Sequence, residues 1–164
     1  MRRMRSKSNK VFTRRPRMIA LRPIDENNFH ACINLKATVD KDEFVDSVVY
    51  SLAEAWLYKN DSKPFAVYND DQVIGFVSLY VGEGHYQIIN FLIDDSFQNK
   101  GYGKDAAILC IEYLKSVFNA KTISVPVYVE NLKAQKFWEK LGFYASDNIE
   151  NGYRELIYKI GYVN

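Results

Sequence analysis

Two glycines spaced two apart, in DDSFQNKGYGKDA (residues 94–106), constrain the fold of this 164-residue chain more than any other feature. Ahead of them HYQIINFLID reads as an apolar strand. After them KDAAILCIEYLKSVF places Ala107, Cys110, Ile111, Leu114 and Val117 on one stripe at helical spacing. Gly101 and Gly103 therefore stand at the entrance to an amphipathic helix, inside a strand-loop-helix-strand unit that KTISVPVYV completes. Small residues at a helix entrance let successive backbone N–H groups point at a single anion.

The rest of the chain arranges itself around that unit. MIALRPI predicts a first strand, and DENNFHACINLKA a helix capped by Asp25. DEFVDSVVYSLAEAWLY has Phe44, Val48, Leu52, Ala55 and Trp56 at helical spacing, which predicts a second helix. PFAVYNDDQVIGFVSLYV splits into two β-rich runs about Asn69-Asp70-Asp71-Gln72, an antiparallel hairpin. NLKAQKFWEKLGF predicts a helix with Asn131 at its N-cap, Ala134, Phe137, Trp138 and Leu141 inward, and Gly142 as its stop. FYASDNIENGYRELIYKI predicts a last hairpin about Glu150-Asn151-Gly152. The order β, α, α, β, β, β, α, β, α, β, β implies an α/β (α+β) domain, with a mixed, mostly antiparallel sheet flanked by helices on both sides.

Charge divides the chain in two. MRRMRSKSNKVFTRRPR, residues 1–17, carries eight Lys or Arg and no acid, which leaves 14 basic against 20 acidic residues from Met18 onward. We read 18–164 as one domain of net charge −6 behind a basic leader. The leader fits a nucleic-acid or ribosome-binding arm, a targeting segment, or an extension ahead of a start at Met18, the last being the plainest. An acidic body favours cationic small substrates over nucleic acid. Cys32 and Cys110 lie in no CxxC or metal-ligand spacing with His30 or His85, so both are expected to be reduced and structural. No apolar run reaches the roughly 18 residues of a membrane span, and a cytoplasmic protein is expected. A homodimer is compatible with the sequence.

Three phosphate-binding patterns compete for the glycine loop. The Walker pattern GxxxxGK followed by Ser or Thr fails at Gln98 and Asp105. The dinucleotide fingerprint GxGxxG/A is met by Gly101, Gly103 and Ala106, but its glycines belong directly after the strand, and here Asp94 to Lys100 intervene. The third is Gln98-x-x-Gly101-x-Gly103 at a helix entrance. At this point the chain resembles the GCN5-related N-acetyltransferase superfamily, whose coenzyme A loop reads Q/R-x-x-G-x-G/A. NLKAQKFWEKLGF is similar to that family's later NxxAxxxYxxxGF segment, and the resemblance runs from Met18 to Ile160. VYSLAEAWLY, KPFAVYNDDQVIGFVSLY and INFLIDDSFQNKGYGKDA further resemble the bacterial polyamine (spermine, spermidine and diamine) acetyltransferases.

The resemblance implies acetyl-CoA as co-substrate and no metal. Its diphosphate would be held by backbone amides of Gln98, Asn99, Lys100, Gly101, Tyr102, Gly103 and Lys104. Phe91, Leu92 and Ile93 would run beside the pantetheine arm, with Asn131 touching it and Trp138 walling its channel. The same three strand residues also read as plain core. Two positions depart from the family: the tyrosine used as general acid aligns with Trp138, whose indole N–H cannot serve as one, and the glutamate base of histone-acetylating relatives aligns with Gln87. Tyr128 or Tyr144 remains as a substitute acid. Acetyl transfer needs a neutral nitrogen, whereas an alkylamine has a pKa of about 10. Glu54, Glu83 and His85 are the candidate bases; a solvated helix face explains Glu54 equally well, and a surface turn explains Glu83 and His85. Asp42, Glu43 and Asp46 would add negative potential or simply favour a helix start.

The expected activity is direct acetyl transfer from acetyl-CoA to a primary amine in a ternary complex, with a small cationic amine such as a polyamine as acceptor. Another small amine or a protein N-terminus is the nearest alternative. A non-catalytic acyl-CoA-binding module is a rival that the missing Tyr and Glu support, and a ribosome- or nucleic-acid-binding protein is one that the leader supports.

Overall fold

The computed structural model describes residues 18–37 and 46–161. The basic leader, Phe44, Asp42 and Glu43 lie outside the described residues. The elements follow the expected order: β1 (Ile19–Pro23), α1 (Phe29–Ile33), α2 (Val48–Leu57), β2 (Ser62–Asn69), β3 (Gln72–Tyr80), β4 (Gln87–Ile93), α3 (Tyr102–Phe118), β5 (Thr122–Tyr128), α4 (Leu132–Lys140), β6 (Tyr144–Glu150) and β7 (Tyr153–Lys159). A single 3-10 turn, Asp95–Phe97, follows β4. The seven strands form one sheet in the order β1-β2-β3-β4-β5-β7-β6. All neighbours are antiparallel except β4 and β5, which are parallel and share one ladder pair, Gln87↔Ser124.

Both faces of the sheet are covered, as the near-continuous apolar runs of β2 and β3 require. Phe65 and Val67 of β2 face one way, packing with Ala107, Cys110 and Leu114 of α3 and Trp138 of α4. Ala66 and Tyr68 face the other way, packing with Cys32 of α1 and Val48 of α2. In the last hairpin Asn151 and Gly152 both take positive φ (51° and 83°), the two-residue turn whose twist suits paired strands.

Five expectations about the helices change. α1 is one short turn rather than the whole of residues 25–37, because local side-chain bonds compete for the backbone. The Asp25 carboxylate accepts from Asn27 N and Asn28 N, and Asn28 Oδ1 accepts from Asp25 N at 2.9 Å. The N-cap position is Asn28, not Asp25. α2 begins at Val48, with Ser47 Oγ accepting from Tyr50 N. Its buried arc is Val48, Ser51 and Ala55, and one residue further round the helix puts Trp56 in solvent at 74% exposure. In the last turn of α3 the stripe has drifted, so that Val117 is exposed and Phe118 packs against Tyr86 and Tyr113 instead.

Candidate active site

The loop that carries the glycines is pinned at both ends. The Asp94 carboxylate accepts from Lys36 N at 2.9 Å, from Ser96 N at 3.1 Å and from the Ser96 hydroxyl. Desolvation opposes ionisation of Asp94, but these hydrogen bonds outweigh it and hold the carboxyl below its ordinary value. Gln98 Nε2 donates to Ile93 O at 2.8 Å, folding the loop back on the end of β4. Asn99 and Gly101 adopt left-handed backbone, and Gly101 (φ 87°) is the N-cap of α3. The first backbone bond of that helix joins Asp105 N to Gly101 O at 3.2 Å. The amides of Gly103 and Lys104 therefore open outward at the positive end of the helix, where an anion is favoured.

A cavity of about 370 Å³ lies in front of these amides. Gln98, Asn99, Gly101, Gly103 and Lys104 border it on the loop side; Phe91, Leu92 and Ile93 border it from β4; Asn131, Lys133 and Trp138 border it across the gap. Of the expected coenzyme residues, Lys100 and Tyr102 do not border it. Lys100 Nζ turns back to Ser96 O at 2.8 Å, and the Tyr102 ring packs edge-on against Phe97, so both side chains lean toward the 3-10 turn instead. A Cβ on Gly103 would meet Phe137 and Ile93 at 3.6 and 3.7 Å, ordinary contact distances.

A second cavity, of about 570 Å³, adjoins the first and shares Phe91, Asn131, Ala134 and Trp138 with it. It exists because β4 and β5 part beyond Gln87↔Ser124: Ile88 to Phe91 form one wall and Val125 to Tyr128 the other. Unpaired on that side, every second residue of β4 turns main-chain groups toward the gap. The register of β4 against β3 jumps from Asn90↔Ser78 to Ile88↔Leu79, which makes Ile89 the extra residue of a bulge in that wall. Gln87 is the pin at which the strands divide, its Nε2 donating to Ser124 Oγ at 3.1 Å. Trp138 is 3% exposed and held edge-on by Phe91, Phe137 and Phe143, a rigid partition at the junction of the two cavities. Asn131 Oδ1 caps α4 by accepting from Ala134 N at 3.1 Å.

Among the described residues, the larger cavity is bordered by Asp46 and Glu54 and by no Lys, Arg or His. Of the three candidate bases only Glu54 reaches it. Glu83 and His85 do not, because a tight turn, closed by His85 N donating to Gly82 O at 2.8 Å, leaves both exposed beyond the strand ends. Glu83 acts there at one remove: burial pushes the Tyr80 phenol up, and the charges of Asp61 and Glu83 push it further, so Tyr80 borders the cavity as a protonated hydroxyl. Of the two substitute acids, Tyr128 borders the cavity, whereas Tyr144 is exposed on β6 beneath Lys159. Asp46 joins the wall.

Sequence reasoning missed Tyr80, Ser51 and Asn90. Ser51 and Asn90 are buried and hydrogen-bonded to each other across 39 residues of chain. One signal was available, a lone Asn in the apolar run QIINFLI, since a buried polar side chain in a strand needs a partner.

Residues 26–143 match the acetyltransferase (GNAT) family. The spermine/spermidine N(1)-acetyltransferase of Bacillus subtilis is 21% identical over 148 residues, covering 85% of this chain and 97% of that protein. A domain from Methanocaldococcus jannaschii superimposes with a TM-score of 0.72 at 15% identity, covering 88% of this chain and 100% of that one. The spermidine N-acetyltransferase of Vibrio cholerae, in complex with CoA and spermine, superimposes with a TM-score of 0.67 at 20% identity, covering 86% and 95%.

Proposed function

The chain belongs to the acetyltransferase (GNAT) family, and on that premise we propose that it acetylates a primary amine of a polyamine such as spermidine or spermine. It is an acetyl-CoA-dependent acetyltransferase; the acceptor, and the part each residue plays, are our reading. The observation that carries the acceptor is the wall of the larger cavity, with two carboxylates and no cationic side chain among the described residues. A cationic amine is drawn to such a wall and preferred over neutral competitors. The similarity to the Bacillus subtilis spermine/spermidine enzyme supports the same choice.

The residues present fit the coenzyme. Outward-facing amides at Gly103 and Lys104, with the cations of Lys104 and Lys133 beside them, suit a diphosphate, and the open gap along Phe91 to Ile93 suits a narrow arm. Acetyl-CoA supplies a thioester carbonyl as the activated acetyl group. The protein's own contribution begins at the junction by Phe91 and Trp138, where the two cavities bring donor and acceptor together. A main-chain N–H on the unpaired edge of β4 polarises the carbonyl oxygen. Glu54 Oε accepts the proton that the ammonium must lose before nitrogen can attack. Tyr128, whose side chain borders the same cavity, relays to the leaving sulfur the second proton that the nitrogen sheds once it has attacked, a modest demand because a thiol has a pKa of about 8.5.

Release of free coenzyme A thiol, measured with spermidine, spermine, short diamines and a basic peptide against a no-amine control, tests the reading. Polyamine-dependent release is expected. Release with the peptide alone would replace the polyamine by a protein amine.

A further inference from the structure

We propose that Asn90 positions the attacking nitrogen of the acceptor through its side-chain carbonyl oxygen; this rests on the transferase reading above. Asn90 is 8% exposed in β4, next to Phe91, one of the four residues common to both cavities, and it borders only the acceptor cavity.

The hydrogen bonds decide which end of its amide faces that cavity. Ser51 Oγ donates its one hydrogen to Ser47 O at 3.1 Å. In that orientation it has lone pairs left for Asn90, and the contact between them runs from Asn90 Nδ2 to Ser51 Oγ. With Nδ2 fixed against α2, Oδ1 is the end left for the cavity, and among the described residues no protein donor reaches it. A carbonyl oxygen that faces a cavity without a protein partner is a site for an N–H from the ligand.

A neutral acceptor suits the reacting nitrogen better than a carboxylate would. It takes one N–H of the amine and leaves the lone pair free, whereas a second carboxylate in addition to Glu54 would raise the amine's pKa further and keep the proton on. The cavity separates the two tasks. Glu54 takes the proton that the ammonium loses and Asp46 adds attraction for charge, while Asn90, beside the junction with the donor cavity, holds the neutral nitrogen that attacks.

Asn90→Asp tests this, because it keeps the shape and adds the charge; the Ser51 hydroxyl can turn to donate to it. Kinetics are measured with whichever amine of the panel turns over fastest, so that failure of polyamines as substrates and failure of the Asn90 role are separate results. The acidic limb of the kcat profile is expected to move up by about one pH unit, with acetyl-CoA affinity unchanged. A profile superimposable on wild type overturns the proposal. Ser51→Ala decides the case if Asn90→Asp does not fold. It frees the amide to rotate and is expected to lower kcat/KM for the amine about fivefold at unchanged KM for acetyl-CoA. Wild-type kcat/KM in that variant overturns the proposal equally.

Discussion

Gly103→Ala should move stability and coenzyme affinity in opposite directions. Gly103 lies in the first turn of α3, and it is absent from the positive-φ residues of the chain. Its missing Cβ would have nothing closer than Phe137 Cε2 at 3.6 Å. The protein therefore does not need glycine there for its own packing or backbone. Alanine is the better helix former by up to about 1 kcal/mol, less in a first turn, so the unliganded variant should melt at the same temperature as wild type or slightly above it. The added methyl stands where the loop amides meet the smaller cavity. Holding the diphosphate away from one charge-assisted hydrogen bond costs about 2 kcal/mol, or roughly thirtyfold in affinity. Calorimetric titration with coenzyme A and thermal melts of the unliganded protein read the two effects separately. Gly103→Val should abolish binding altogether. Unchanged affinity in both variants would refute this account of the loop, and a large fall in melting temperature with Ala would mean that the glycine serves packing.

Glu54→Gln should raise the acceptor KM or depress turnover about tenfold with acetyl-CoA binding unaffected, as steady-state kinetics would show; wild-type values would return Glu54 to a solvated helix face. Asp94→Ala should cost about 1 kcal/mol by loss of a cap, read from denaturant melts. Because the folded carboxyl titrates below its unfolded value, that stabilisation is full above the ordinary carboxylate range and lost as pH falls through the folded pKa, so the gap between variant and wild type should close in acid. Burial, with the Asp25 charge adding to it, pushes the Cys32 thiol up to about 11, and burial pushes Cys110 up to about 12. Neither should react with an alkylating reagent at pH 8 until the protein is unfolded, which thiol titration in and out of denaturant would show.

Legibility in the sequence followed the range of the interactions. Periodicity, caps and turn residues act over a few positions, and the succession of elements along the chain, the hairpins, the Asn131 cap and the glycine loop could all be read from them. Trp56 and Val117 show the limit of that reading. Spacing marks an apolar stripe, but the arc that becomes buried is set by where the sheet meets the helix.

The sequence by itself determined an α/β chain with a glycine-bearing helix entrance and the motifs of its family, because each of these is written in residues close together. Only the tertiary structure decided what the acceptor side looks like. The larger cavity opens because β4 and β5 share a single ladder pair, a property of two strands separated by the whole of α3. The packing of α2 brings Glu54 to its wall and the divergence brings Tyr128, while Glu83, His85 and Tyr144 stay outside. The Asn90 amide is oriented by Ser51, a bond formed only when α2 packs on the sheet. Contacts between residues 39 apart leave no periodic trace, since their energy depends on a geometry that exists only once the sheet has assembled.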